Sequence, residues 1–248
     1  MILFLTGCAG LFVSQKPDSR KSPEQLLDEL KAQADKLQSF QGQADILVSS
    51  SYGIFQGALT IKIKTPDTLW IKAEGMLGVD MGVMRMAGDT FVMYSPWEHV
   101  LYTGTKAGMM SQSLLPFDLP DLLKGVSGLL SPDPSFKDSI PAFSAAESHY
   151  EMVFSTGDRI LISPKGPTVI KWEKIDASGE SEWIWEAKDL RKYGPVYLPE
   201  KVRVSRPKDS QKISMAYYKM QSNGKLKTGW AMVPMPEGAT RLELDNIR

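Results

Sequence analysis

Side chains that commonly perform catalysis are sparse in this sequence, and they do not stand at catalytic spacing. His99 and His149 are far apart, and neither has a second candidate ligand at metal-site spacing. No serine lies in the G-x-S-x-G turn that exposes a hydrolase nucleophile. Glu180 and Glu182 flank a Ser-Gly turn, where hydration accounts for them better than acid-base chemistry. We therefore predict that the protein is not an enzyme and needs no metal or cofactor.

The single cysteine, Cys8, rules out an intramolecular disulfide in this chain and any zinc site built on two thiolates. A short apolar run ending in Thr6 and Gly7 precedes it, like the end of an export signal. Leu5-Thr6-Gly7-Cys8 resembles the lipobox of bacterial lipoproteins, which implies cleavage before Cys8 and lipid attachment to its thiol. Ala9 replaces the Asp of inner-membrane lipoproteins, so the resemblance implies an outer-membrane anchor facing the periplasm. The alternative is a buried thiol in an N-terminal strand.

Composition favours a folded protein with no affinity for nucleic acid. Hydrophobic residues make up 42% of the chain and charged residues 23%, close to the globular average. Lys plus Arg balances Asp plus Glu at 29 each, so no net field attracts polyanions. We interpret residues 1–7 as a signal-peptide remnant, residues 8–21 as a lipid-anchored tether and residues 22–248 as one domain.

Periodicity predicts one N-terminal helix followed by a mainly β fold. Ser22 stands at an N-cap position with Pro23 after it and Gln25 at the capping-box position. Beyond Phe40 the apolar period changes from helical to two, in many short runs separated by turn residues. We predict a curved antiparallel half-open β-barrel of roughly eleven strands, of the mainly β (α+β) class.

A second helix is predicted in the middle of the chain, where the strand pattern stops. Asp118-Leu119-Pro120-Asp121 is typical of a helix start. This helix is either a lid over a cavity or an element that only packs on the sheet. Its lid-forming side chains would be Leu119, Leu122, Leu123 and Val126.

The order of these elements resembles the LolA/LolB-type fold, a half-open barrel with helical lids. Four local motifs also resemble poorly characterised lipoproteins related to that fold: Phe55-x-Gly57-x-Leu59, Pro66-Asp67-x-Leu69-Trp70-Ile71, Gly78-Val79-x-Met81 and Gly88-Asp89-x-Phe91. The resemblance extends from Ser22 to about Tyr218. It implies a concave apolar face that holds acyl chains, a role in lipoprotein carriage or reception, and no catalytic residue.

Alternating apolar residues in the first half of the sheet are the predicted lining of such a cavity. The same alternation also fits an ordinary packed core, although flexible methionines suit varied acyl ligands. The predicted ligand-binding residues are Ile46, Leu59, Ile61, Leu69, Ile71, Met81, Met84, Met86, Phe91 and Met93. The predicted partners are a membrane, reached through the lipid anchor, and lipid or lipoprotein acyl chains. The alternative function is a structural lipoprotein that docks an envelope protein partner, through a sheet edge or the tryptophans Trp172, Trp183 and Trp185.

Overall fold

A computed structural model of the chain describes residues 16–51, 53–105, 107–108, 125, 128, 130, 139–140 and 142–246. The predicted lipidation site, Cys8, lies outside the described residues, and so do the predicted lid residues Leu119, Leu122, Leu123 and Val126. Within the described residues, no helix is both long and apolar enough to span a bilayer. The single-domain organisation stays a prediction.

The N-terminal helix is present as predicted and is closed by a capping box. It is α1 (Pro23–Asp35). The Gln25 backbone N–H donates to Ser22 Oγ at 3.3 Å, and the Ser22 N–H donates to Gln25 Oε1 at 3.0 Å. These two bonds satisfy donors that a helix N-terminus otherwise leaves free. Leu26, Leu27 and Leu30 form its buried face.

All described strands belong to one sheet. They are β1 (Ser39–Ser50), β2 (Gly53–Lys64), β3 (Thr68–Gly75), β4 (Asp80–Ala87), β5 (Thr90–Ser95), β6 (Val100–Thr105), β7 (Ala142–Ala145), β8 (Tyr150–Val153), β9 (Arg159–Ser163), β10 (Thr168–Ile175), β11 (Ser181–Tyr193), β12 (Val196–Arg206), β13 (Gln211–Ser222) and β14 (Thr240–Glu243). Their order is β14-β6-β5-β4-β3-β2-β1-β13-β12-β11-β10-β9-β8-β7. The two end strands do not pair, so the sheet is unclosed.

Two details of the predicted sheet are corrected by the structure. It has fourteen strands among the described residues, rather than roughly eleven. The additional strands include the four-residue edge strand β7, which is defined by pairing with β8 and carries no period-two pattern of burial. Neighbouring strands are antiparallel except β14, which pairs with β6 in parallel.

The main apolar cluster of the protein lies on one face of the sheet. A single connected cluster joins α1 to side chains of β1–β5 and β8–β13. The sheet is curved, and we call the side that carries this cluster the concave face.

A smaller apolar cluster lies on the opposite, outer face. It contains Val83, Tyr94 and Leu101 from three neighbouring strands, with Val233 from the chain after β13. Trp70 Nε1 on the same face donates to the backbone oxygen of Met232 at 2.9 Å. The chain after β13 thus crosses the outer face before it reaches the β6 edge as β14.

Candidate functional site

Nine of the ten predicted ligand-binding residues lie together on the concave face. Seven of them are buried members of its cluster: Ile46, Leu59, Ile61, Leu69, Met84, Met86 and Phe91. Ile71 and Met93 are partly exposed and pack against the same cluster. The structure therefore brings these residues together, while their role in binding stays a prediction.

Met81 is the exception, and the strand period explains why. Met81 is three residues before Met84 and five before Met86. Because successive side chains of a strand point to opposite faces, it lies away from their face. The pairing of β3 with β4 also shifts here, from Ala73 opposite Gly82 to Glu74 opposite Asp80. Met81 belongs to neither apolar cluster, and its sulfur lies 3.0 Å from Trp97 Nε1.

Strand register arranges the concave side chains of β2–β6 in two neighbouring rows, which we call the apolar track. One row is Ile61, Ile71, Met84, Met93 and Tyr102, and the other is Ile63, Leu69, Met86, Phe91 and Gly104. Five strands at about 4.8 Å spacing make each row about 19 Å long. This exceeds the roughly 15 Å that one acyl layer occupies in a bilayer.

The half of the concave face formed by β11 and β12 contacts described residues from the middle of the chain. Trp185 is 2% exposed, and its Nε1 donates to the Gly125 oxygen at 3.2 Å. Gly128 has a φ of 71° and approaches Pro199 so closely that a Cβ would lie 2.2 Å from Pro199 Cδ. Leu130 is a buried member of the concave cluster. These contacts place Gly125 against β11 and Gly128 against β12, and they bury Leu130 in the concave cluster.

The apolar track is less covered than the β11–β12 half of the concave face. Its members Ile63, Ile71, Met93 and Tyr102 are only partly buried, although they pack against the concave cluster. A ligand could therefore reach the track from the β2–β6 side with less rearrangement than from the β11–β12 side.

Exposed apolar side chains also mark one end of this half of the sheet. In an antiparallel sheet the β1–β2, β3–β4 and β5–β6 connections all lie at the same end. The exposed residues there are Ile54 (77%), Met76 (72%), Leu77 (102%), Val79 (48%) and Trp97 (69%), and we call them the apolar rim. Large exposed apolar side chains gathered at one end of a sheet suit a surface that contacts a membrane or another apolar partner.

An ion cluster supports the rim on the outer face. Lys72 Nζ lies 2.7 Å from Asp80 Oδ1 and 3.0 Å from Glu74 Oε1. Hydrogen bonds to Asp80 and then to Glu74 raise the pKa of Lys72 above its usual value. These bonds join the last residues of β3 to the first residue of β4 and hold the connection that carries Met76, Leu77 and Val79.

Tyr217, in the concave cluster, has a pKa that burial shifts strongly. Tyr217 is 8% exposed and packs edge-on against Phe40, with ring centroids 5.8 Å apart. Loss of hydration raises the pKa of its phenol far above the usual value. The hydroxyl therefore stays protonated at ordinary pH, and the interior carries no charge at this position.

The residues considered for catalysis are not brought together. Tyr94 OH and His99 Nδ1 are 3.1 Å apart on the outer side, whereas His149 pairs locally with Ser148 at 3.2 Å. Glu180 and Glu182 bind different lysines, Lys208 and Lys174. Within the described residues, no group of three or more His, Cys, Asp or Glu side chains could hold a metal ion.

The three tryptophans of β10 and β11 pack inside the concave face. Trp185 is buried, and Trp172 and Trp183 pack against the same cluster with ring centroids 5.6 Å apart. Trp172 Nε1 is buried with no hydrogen-bond partner among the described residues. An exposed tryptophan face for docking a partner is therefore not present on these strands.

Comparison with solved structures identifies the architecture. A DUF1329 family protein from Desulfovibrio piger superposes with a TM-score of 0.62 at 10% identity, over 84% of this chain and 95% of the other. A putative outer membrane lipoprotein-sorting protein domain from Vibrio parahaemolyticus gives 0.57 at 9% identity, over 83% and 94%. A LolA superfamily protein from Nitrosomonas europaea gives 0.54 at 11% identity, over 83% and 95%. The chain has the LolA/LolB-like fold. The predicted resemblance is thereby confirmed for the fold.

Sequence comparison adds no closer relative. No family model matches the sequence. No curated protein matches it either. At about 10% identity, the structural likeness shows the fold alone, so the function has to be argued from the site.

Two parts of the site were not predicted from the sequence. Nothing in the local pattern around Trp185 indicates that its indole binds Gly125, sixty residues away. Leu244 falls in a segment whose pattern allows a closing strand, but it is 1% exposed within the concave cluster. An apolar residue between Glu243 and Asp245 was the only available signal.

Proposed function

We propose that this protein binds acyl chains of lipids or lipoproteins along the apolar track. Anchored in the outer membrane through Cys8 and facing the periplasm, it would assist lipoprotein localisation or envelope lipid traffic. The observation that carries the proposal is the pair of cross-strand rows on β2–β6, which form one continuous, partly exposed apolar surface. The lipid anchor itself rests on the sequence around Cys8.

Burial of methylene groups would supply the affinity. Each methylene removed from water contributes about 0.8 kcal/mol, so ten would contribute about 8 kcal/mol before the costs of binding. Without those costs this corresponds to a dissociation constant of about 1 μM. The thioethers of Met84, Met86 and Met93 can adjust to chains of different shape, because methionine is unbranched and flexible.

The apolar rim supports contact with a membrane surface at the same end of the sheet. Trp97 and Leu77 are large, exposed and carried by short connections between paired strands. Apolar and aromatic side chains gain free energy when they enter the interface of a bilayer. A protein held by a lipid on Cys8 could place this rim on the membrane that donates or receives the acyl chain.

The test is a binding measurement with a matched pair of methionine variants. Met93→Lys introduces a charge into the track. Met235→Lys introduces the same charge outside the track, at a methionine that is 64% exposed. The chain from Lys16 onward is purified from a bacterial periplasm and examined by native mass spectrometry and lipid extraction. We expect co-purifying lipid in the parent and in Met235→Lys, and at least about tenfold less in Met93→Lys, which is about 1.4 kcal/mol. A parent chain that carries no lipid and takes up no added fatty acid or lipopeptide would contradict the proposal.

A separate feature on the outer face favours protein docking as the second candidate function. The small residues Ser214 and Ala216 on β13 leave a trough of about 250 Å³ between Leu47 of β1 and Arg203 of β12. Leu47 is 43% exposed along this trough. A partner side chain could occupy it, and Ala216→Arg would fill it without altering the track. Loss of a co-purifying envelope protein in this variant, with lipid binding retained, would favour docking.

A further inference from the structure

The last described residues form an arm that ends inside the proposed acyl site. We call residues 240–246 the C-terminal arm; it comprises β14 and a 3₁₀ turn at Leu244–Asn246. The four residues of β14 are exposed and pair with one side of β6 in parallel, from Thr240 opposite Val100 to Glu243 opposite Thr103. A short, parallel and exposed pair is a weakly held part of a sheet.

Leu244 occupies the end of the apolar track. Gly104 is the β6 member of the second row, opposite Phe91, and it provides no side chain there. A Cβ on Gly104 would lie 3.3 Å from the Leu244 Cβ, so the leucine sits directly against this position. Leu244 is 1% exposed and belongs to the concave cluster. It thus fills the place of the side chain that the row lacks.

Asp245 fastens the arm to the chain that follows β6. Thr105 donates twice to its carboxylate, from the backbone N–H to Oδ2 at 3.0 Å and from Oγ1 to Oδ1 at 2.7 Å. Gly108 makes room for the carboxylate, since a Cβ there would lie 2.1 Å from Asp245 Oδ1. Hydrogen bonds to a carboxylate are stronger than those between neutral groups, so these two bonds help the buried Leu244 to hold the arm in place.

We infer that the C-terminal arm is an autoinhibitory strap: Leu244 occupies the β6 end of the apolar track, and an acyl chain displaces it on binding. The inference rests on the proposed function and extends it to regulation of the same site. Displacement would uncover the apolar surface at Gly104 and release one side of β6. The arm would then cover the β6 end of the track in solution and yield it only to a ligand that buries more apolar surface than one leucine.

The test uses two leucines on the same arm. Leu244→Ala removes the plug, whereas Leu242→Ala removes a leucine that is 37% exposed on β14 and lies outside the concave cluster. Binding of dansyl-undecanoic acid to the full chain is measured by fluorescence titration. We expect the dissociation constant to fall about tenfold for Leu244→Ala and to change less than about twofold for Leu242→Ala. An unchanged or higher dissociation constant for Leu244→Ala, with the parent still binding, would overturn the strap alone. No binding by any of the three chains would overturn the proposed function and the strap with it.

Two further variants keep the test independent of the leucine packing. Asp245→Ala removes the acceptor for Thr105, and Gly108→Ala pushes the carboxylate away, so both should also tighten binding. Glu243→Ala is the matched control, because its carboxylate accepts only from Asn246 Nδ2 among the bonds the structure describes.

Hydrogen–deuterium exchange gives a readout that does not depend on affinity. Binding of the probe to the parent should speed exchange at the amides of Thr240–Glu243, because the arm leaves β6. Slower exchange there on binding would show that the ligand holds the arm in place and would overturn the inference.

Discussion

The hydrogen bond between Trp185 and Gly125 should contribute measurably to stability, because it ties Gly125 to the concave face. Trp185→Phe keeps an aromatic ring but deletes the Nε1 donor that lies 3.2 Å from the Gly125 oxygen. Both residues are buried, so water cannot replace the lost donor at no cost. Leaving a buried acceptor unpaired costs about 1–3 kcal/mol, and the smaller ring adds about 1 kcal/mol for the space it vacates.

The expected loss of about 3 kcal/mol is testable by urea denaturation followed by tryptophan fluorescence and circular dichroism. With a denaturant slope of about 3 kcal/mol per molar urea for a chain of this size, the midpoint should fall by about 1 M. Trp183→Phe is the control on the same strand, because Trp183 is partly exposed and would keep an aromatic contact with Trp172. We expect its midpoint to fall by less than about 0.3 M. Equal losses for the two variants would refute the argument, since the Gly125 bond would then have no special weight.

Two further predictions concern a buried phenol and the anchor. Burial raises the pKa of Tyr217. Above pH ~10 the unfolded chain therefore loses the phenol proton while the folded chain keeps it. The free energy of unfolding then falls by up to about 1.4 kcal/mol per pH unit. Between pH 8 and pH 11 the free energy of unfolding should fall less for Tyr217→Phe than for the parent. It should fall as much as in the parent for Tyr218→Phe, because Tyr218 is 62% exposed. Equal falls in all three chains would contradict the assignment. For the anchor, Cys8→Ser should abolish labelling by a palmitate analogue and move the chain from membranes to the periplasmic fraction, whereas persistent labelling would exclude Cys8 as the lipidated residue.

Local signals in the sequence were sufficient for several elements of the fold. The Ser22 and Gln25 capping box predicted the start of α1, because such a cap depends only on residues three apart. Period-two alternation placed nine predicted residues on one face, because every second side chain of a strand points to the same side. The same rule, applied strictly, separates Met81 from Met84, because three residues along a strand lead to the opposite face.

The pairing of the strands and the coverage of the concave face could not be predicted in this way, because they depend on residues far apart in the chain. The edge strand β7 has no alternation of its own and exists through its bonds to β8. The parallel pairing of β14 with β6 joins residues about 140 positions apart, and so does the placement of Leu244 beside Gly104. No window of local sequence contains both members of such a contact.

The sequence by itself therefore determined the class of fold, the position of the N-terminal helix and the set of apolar residues available for the concave face. It did so through short-range rules: helix capping, strand alternation and the residue types that favour turns. Only the tertiary structure decided that Gly125 and Leu130 pack against that face, while Ile71 and Met93 stay partly exposed. It also decided where Leu244 lies. These outcomes depend on how a curved sheet brings distant parts of the chain together. The alternation of apolar residues does not determine them, because it is the same whether the enclosed space is filled by the chain or open to a ligand.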